Sequence, residues 1–251
     1  MADSDSDFVL SISPHDYTKN LNKLNYDRQR FIAKVYTILT TQLAYTFILT
    51  EIFVSNESIK NYVQGNTAML VTAIIIPIIM ILGLLCFYDT VKTTPCDYIY
   101  LTIFTIFEGY VVAISASYYD ASSVMLAILI TLIITVVLTI YAWQTKVDYT
   151  IFGGFLLMGL TSLLVFGILL AIFCSSDTGT CAVLNILYAS IGAFIMAAYI
   201  IVDTQMIMDG SHQQHFDDDE YVLASINLYL DVIQLFLKIL YLISRVKGEK
   251  K

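Results

Sequence analysis

Four ionisable side chains interrupt the longest apolar stretches of this sequence: Glu108, Asp203, Asp231 and Lys238. A charge at mid-depth in a bilayer costs about 3 kcal/mol on insertion scales, so such residues face protein or water and mark a pathway. Asn227, Asp231, Gln234 and Lys238 are spaced four, three and four apart, which puts all of them on one face of a helix. That stripe fits a helix lining an aqueous cavity, or a polar seam used only for packing. Asp203 lies near the end of one apolar segment and Asp231 partway down the next, antiparallel one, so the two carboxyls are close enough along the chain to meet. Two carboxyls in contact in a poor dielectric share a proton and titrate as a unit. With the proton they form a hydrogen-bonded clasp; without it they repel each other and attract a cation. The alternative is that the two acids point apart, Asp231 taking Lys238 as its partner.

Other polar residues call for plainer readings. Lys34 and Glu51 fall near helix ends, where long side chains reach the interface. His212 and His215 precede Asp217, Asp218, Asp219 and Glu220 in a run that suggests a metal, but two histidines three apart are a weak signal. The run reads as an acidic linker whose charges favour the start of the helix that follows. No structural metal and no cofactor are expected.

These residues are set in a chain of 251 residues that is 58% hydrophobic and only 14% charged. A soluble domain carries about a quarter charged residues, so lipid must replace water over much of the surface. Seven segments approach the roughly 20 apolar residues that a bilayer core needs: 31–54, 67–88, 98–119, 121–142, 151–173, 182–208 and 221–244. The loops are short, so successive helices are antiparallel neighbours. The expectation is an all-α polytopic membrane protein. It would have a cytosolic N-terminal tail (1–30), a transmembrane domain (31–244) and a basic C-terminal tail (245–251). Pro77 should kink the second segment. In the sixth, Ala189, Ala193 and Ala197 form a small-residue ridge, while Gly192, Met196, Tyr199 and Asp203 share a second face.

Lysine and arginine placement sets the orientation. Lys19, Lys23, Arg28, Arg30 and Lys34 flank the first segment and hold the N-terminus in the cytosol. The seventh segment leaves the basic tail outside if it spans fully, and inside if it re-enters; the sequence leaves both open. No early apolar run suggests a cleavable signal. Cys174 and Cys181 share one non-cytosolic loop, where a disulfide or two free thiols both fit. Asn56-Glu-Ser is a sequon close to the membrane, expected to be unused. Net charge is −8, but the acids cluster at the N-terminal tip and in one loop, and nothing resembles a nucleic-acid-binding surface.

Four stretches carry a resemblance that spans the chain from residue 30 onward: Phe31–Gln42, Tyr141–Asp148, Tyr199–Met206 and Glu220–Asp231. In these the chain resembles the Bax-inhibitor/Lifeguard (TMBIM) family, most closely its Golgi anti-apoptotic protein branch. The resemblance implies a central C-terminal helix wrapped by six others. It implies a pH-sensitive calcium leak in Golgi or endoplasmic reticulum membranes that suppresses cell death, with calcium as the permeant ion. It places the pH sensor, and transient calcium, at Asp203 and Asp231, and likens Glu108 to an acidic residue often found in the third helix. One departure is clear: a bacterial relative sets an arginine from its second helix beside the aspartates, whereas segment 67–88 has no basic residue. The direction of gating therefore stays open, as do oligomeric state and ion selectivity.

Other classes share some of these features. Presenilin-like proteases also carry aspartates on adjacent helices, but their second aspartate follows Gly-x-Gly. Leu228, Tyr229 and Leu230 precede Asp231 here, so no enzyme is expected. A non-conducting regulator that binds Bcl-2 relatives or calcium-release channels is a further alternative, as is a proton-coupled transporter, for which no solute site stands out.

Overall fold

Backbone N–H and C=O groups find no partner in hydrocarbon, so apolar runs of bilayer length must close their hydrogen bonds internally as helices. The computed structural model describes residues 14–86, 95–174, 179–208, 216 and 220–248, and no strand occurs among them. The helices are α1 (Pro14–Ser55), α2 (Glu57–Gln64), α3 (Thr67–Cys86), α4 (Cys96–Ala116), α5 (Ala121–Gln144), α6 (Gly153–Phe173, entered by a 3-10 turn at Thr150–Phe152), α7 (Thr180–Met208) and α8 (Tyr221–Val246).

Six of them, α1 from Tyr26 onward and α4 to α8, are long and apolar enough to cross a membrane. The second of the seven expected segments is the 20-residue helix α3, which runs through Pro77. Within the expected N-terminal tail (1–30) the chain is helical from Pro14 onward. Large apolar side chains point outward along the bundle: Ile133, Val137, Leu164 and Phe194 are all more than half exposed. A water-soluble surface does not tolerate such a display, and lipid is the environment it fits. Threonines inside the helices satisfy their hydroxyls on the carbonyl one turn back, as Thr37, Thr40, Thr102 and Thr161 do, so they need no outside partner.

Helix α2 falls where the sequence predicts a loop between segments 31–54 and 67–88. Its start is set by Asn56, whose side-chain oxygen accepts from the Ser58 and Ile59 backbone N–H groups, and its single buried contact is Val63. Eight residues with one buried apolar side chain give too weak a periodicity to be found in sequence. The exposed Asn56 is the asparagine of the sequon, and its carboxamide is engaged in this cap.

Helix α8 packs against α7, α1, α5 and α4, and more than half of its apolar stretch is buried, the largest share of the six. Leu228, Tyr229, Val232, Ile233, Phe236 and Leu240 are wholly inaccessible. Helix α6 packs mainly on α7 and exposes most of its surface.

Two polar belts mark opposite ends of the bundle. At one, the Arg28 guanidinium donates to the Phe216 and Met206 carbonyls at 2.7 and 2.8 Å. Close by, the Tyr221 hydroxyl donates to Asp97 at 2.8 Å, under the Lys34 ammonium. At the other end, Lys60 donates to the Tyr119 carbonyl, Gln64 to the Ser117 carbonyl, and Lys247 to Ser122. The helix α8 is unbroken, so Arg28 and Lys247 lie at opposite ends of the molecule.

Cys174 and Cys181 are joined in a disulfide across the α6–α7 connection, in the Lys247 end of the bundle. Cys96 is free and exposed; the side chain of Cys86 lies outside the described residues. Reduction should slow the non-reducing gel mobility of the wild type, and Cys174→Ser should run at the slow position with or without reductant. Identical mobility of wild type and variant before reduction would count against the bridge.

Candidate functional site

Asp203 lies in the last two turns of α7 and is almost fully buried. The faces of α7 explain why. Its inward line is Ala189, Gly192, Met196 and Asp203, while Ala193 and Ala197 of the small-residue ridge are half-buried. Asp231 stands on the facing helix, and the two carboxyls are within hydrogen-bonding reach of one another. A carboxylate has no hydrogen to give, so this contact requires a proton on one of them. Asp231 Oδ2 is buried and meets no N–H or hydroxyl donor of the protein. Tyr199, one turn before Asp203, lies within electrostatic reach of both acids.

Lys238 is not the partner of Asp231. Its ammonium sits 3.9 Å from the centroid of the Tyr188 ring. Asn227 is half-buried one turn before Asp231, and Gln234 and Lys238 line a separate cavity against α6. The polar stripe of α8 therefore has two destinations along its length: the carboxyl pair, then the α6–α7 side.

Glu108 belongs to neither. It is buried in α4 within electrostatic reach of the Tyr229 hydroxyl, which is hydrogen-bonded to Thr46 Oγ1 of α1 at 2.7 Å. Tyr229 and Asp231 are two residues apart, about 200° around a helix that turns 100° per residue. Polar groups thus leave α8 on both sides: the acid pair toward α7, and the Tyr229–Thr46–Glu108 cluster toward α1 and α4. Close approach is needed at the second cluster, since a Cβ on Gly109 would lie 2.9 Å from the Tyr45 ring. Replacing Tyr229 with Phe removes one buried hydrogen bond and strands the Thr46 hydroxyl. A loss of about 1–2 kcal/mol is expected, read as a lower unfolding temperature in detergent; an unchanged midpoint would deny the bond any weight.

Three residues that bind the end of α7 and the start of α8 had no such role in the sequence reading. Gln205 donates to the Val147 carbonyl and accepts from the Tyr149 N–H, both within 2.8 Å, and so pins the loop after α5 to the end of α7. Arg28 fixes the same end of α7 through the Met206 carbonyl. Asp97, 4% exposed, caps the Tyr98 N–H and accepts from Tyr221. The available signal was that Gln205 and Met206 sit two and three residues after Asp203, where a turn of helix must be held if the acid is to be held. His212, His215 and Asp217–Asp219 lie outside the described residues; among those described, no cluster has the ligands to hold a metal ion.

Six apolar helices, a lipid-facing exterior and an acid pair locked between the last two helices define a polytopic α-helical membrane protein. The model of the family described as inhibitor of apoptosis-promoting Bax1 matches residues 28–248, and the chain belongs to that family. Among curated relatives, Protein lifeguard 3 of Mus musculus is 31% identical over 217 residues, covering 86% of this chain and 69% of the relative. The Homo sapiens Protein lifeguard 3 is 31% identical over 216 residues, covering 86% and 68%. Bax inhibitor 1 of Schizosaccharomyces pombe is 29% identical over 221 residues, covering 88% and 78%. The four stretches that carried the resemblance sit around one end of the bundle: Phe31, Val35 and Leu39 share a core with Tyr221 and Val222, while Gln205 holds the Val147–Tyr149 loop.

Proposed function

We propose that this protein is a pH-sensitive calcium leak of intracellular membranes, Golgi or endoplasmic reticulum, that lowers store calcium and restrains apoptosis. The observation that supports the reading best is the facing of Asp203 and Asp231 across α7 and α8, with Asp231 Oδ2 buried away from every N–H and hydroxyl donor of the protein. In this reading α3 supplies the seventh span, the other six helices wrap α8, and the N-terminus is cytosolic by the placement of its basic residues. With the shared proton, α7 and α8 are clasped. Its loss replaces a hydrogen bond with like-charge repulsion and leaves two carboxylates that attract calcium. Flux therefore rises as pH rises through the transition. The chemistry belongs to permeation and gating, not to bond breaking.

Purified protein in liposomes loaded with a calcium dye, assayed across pH, tests this directly. Flux that increases with pH supports the clasp. Flux that decreases would reverse the sign of the gate. No flux at any pH would leave the regulator that binds apoptosis or calcium-release proteins.

A further inference from the structure

A cavity of about 580 Å³ lies between α6, α7 and α8, at the end of the bundle that carries the disulfide. Its wall is aliphatic on the α6 side, with Leu163, Leu164 and Ile168, and polar on the other, where Gln234 and Lys238 of α8 meet Tyr188 of α7. Leu164 and Ile168 are more than half exposed, so the cavity opens sideways toward lipid. Its size falls within the roughly 300–1,000 Å³ of small-molecule sites.

Lys238 is built into this place. Its side chain crosses Gly192, where a Cβ would stand 3.1 Å from the lysine Cε. Tyr188 in turn crosses Gly167, where a Cβ would stand 2.9 Å from the tyrosine hydroxyl. Two glycines thus clear the path for the cation and for the ring beneath it. The ring face satisfies one side of the ammonium. No carboxylate among the described residues pairs with it: Asp231, seven positions back along α8, faces Asp203 instead. An ammonium without an anion is costly at this depth, and the remaining free side is the cavity.

We propose that this cavity binds a single-chain amphiphile with an anionic head, a long-chain fatty acid, whose carboxylate pairs with Lys238 and whose tail runs along α6. Charge complementarity selects the anion. Depth selects the single chain: Lys238 is eight residues before Val246, about 12 Å below the helix end at 1.5 Å per residue. A diacyl phosphate is anchored at the interface by two tails and a bulky head, whereas a carboxylate is small enough to descend to the lysine. The site does not depend on conduction, and its test does not measure it.

The test is photolabelling of the full-length protein in nanodiscs with a diazirine-bearing palmitic acid. Saturable labelling on α6–α8 peptides is expected, displaced by palmitate but not by palmitate methyl ester or by phosphatidylglycerol. Lys238→Met should weaken labelling at least tenfold, as befits loss of a charged hydrogen-bonded pair, while Lys238→Arg should keep most of it. Leu164→Trp, at an exposed position on the cavity mouth, should block labelling without unfolding the protein. Labelling unchanged in both Lys238→Met and Leu164→Trp would overturn the proposal. So would equal displacement by the methyl ester, or displacement by phosphatidylglycerol, which would give the cavity to bulk membrane lipid.

Discussion

Asp203→Asn in liposomes should carry calcium at a low rate that no longer follows pH. The asparagine keeps the shape of the aspartate and replaces a borrowed proton with two permanent N–H donors. Its amide can donate to Asp231 at every pH, so the contact between α7 and α8 that the wild type holds only with a proton becomes fixed. A two-state shift of about 1.4 kcal/mol changes the open population about tenfold when the open state is rare. The wild type is expected to show a change of that order across its transition, and the variant less than twofold. Asp231→Asn should behave alike, because the pair acts as one titrating unit. A pH profile for Asp203→Asn that overlays the wild type would remove the pair from gating, even if the protein conducts.

The second large effect is expected at Arg28. Its guanidinium bridges two carbonyls that α1 does not own, Met206 at the end of α7 and Phe216 just before α8, and its Cζ lies 4.6 Å from the Phe31 ring centroid. Hydrogen bonds from a charged donor contribute about 1.5–3 kcal/mol each. Arg28 is half-buried, so the lower end applies, and Arg28→Ala should cost about 3 kcal/mol. Arg28→Lys should recover less than half, since a single ammonium cannot span both acceptors as the planar fork does. Both variants should unfold at lower temperature in detergent, and protease should cut between α7 and α8 faster. Wild-type values for Arg28→Ala in both measurements would show that this end of α7 is held by Gln205 and packing alone.

Much of this was legible before any coordinates. Apolar length is a strong signal because lipid offers the backbone no partner, so the limits of α4, α5, α7 and α8 fall within about three residues of those read from hydropathy. The closeness of Asp203 and Asp231 was legible because two consecutive antiparallel helices leave few places for their polar residues to go. Other features were not. Glu108 and Asp231 look alike in sequence, as acids inside apolar runs, and only packing shows that α8 keeps them apart. Lys238 shares a stripe with Asp231, yet one face of a helix passes several neighbours along its length, and the lysine meets Tyr188 instead. Arg28, Gln205 and Asp97 act through backbone carbonyls, loops and caps far away in the chain, and no periodicity announces such partners. Helix α2 depends on one capping side chain and one buried valine, too little to stand out from a loop.

The placement of Tyr229 and Asp231 restricts how the last helix can move. Rolling α8 about its own axis by a quarter turn would pull Tyr229 from Thr46 and Asp231 from Asp203 together, and expose both to hydrocarbon. Tilting or piston-like sliding can release one partner while the other serves as a pivot. A spectroscopic ruler on this helix should therefore report changes in tilt or height, with its azimuth nearly constant.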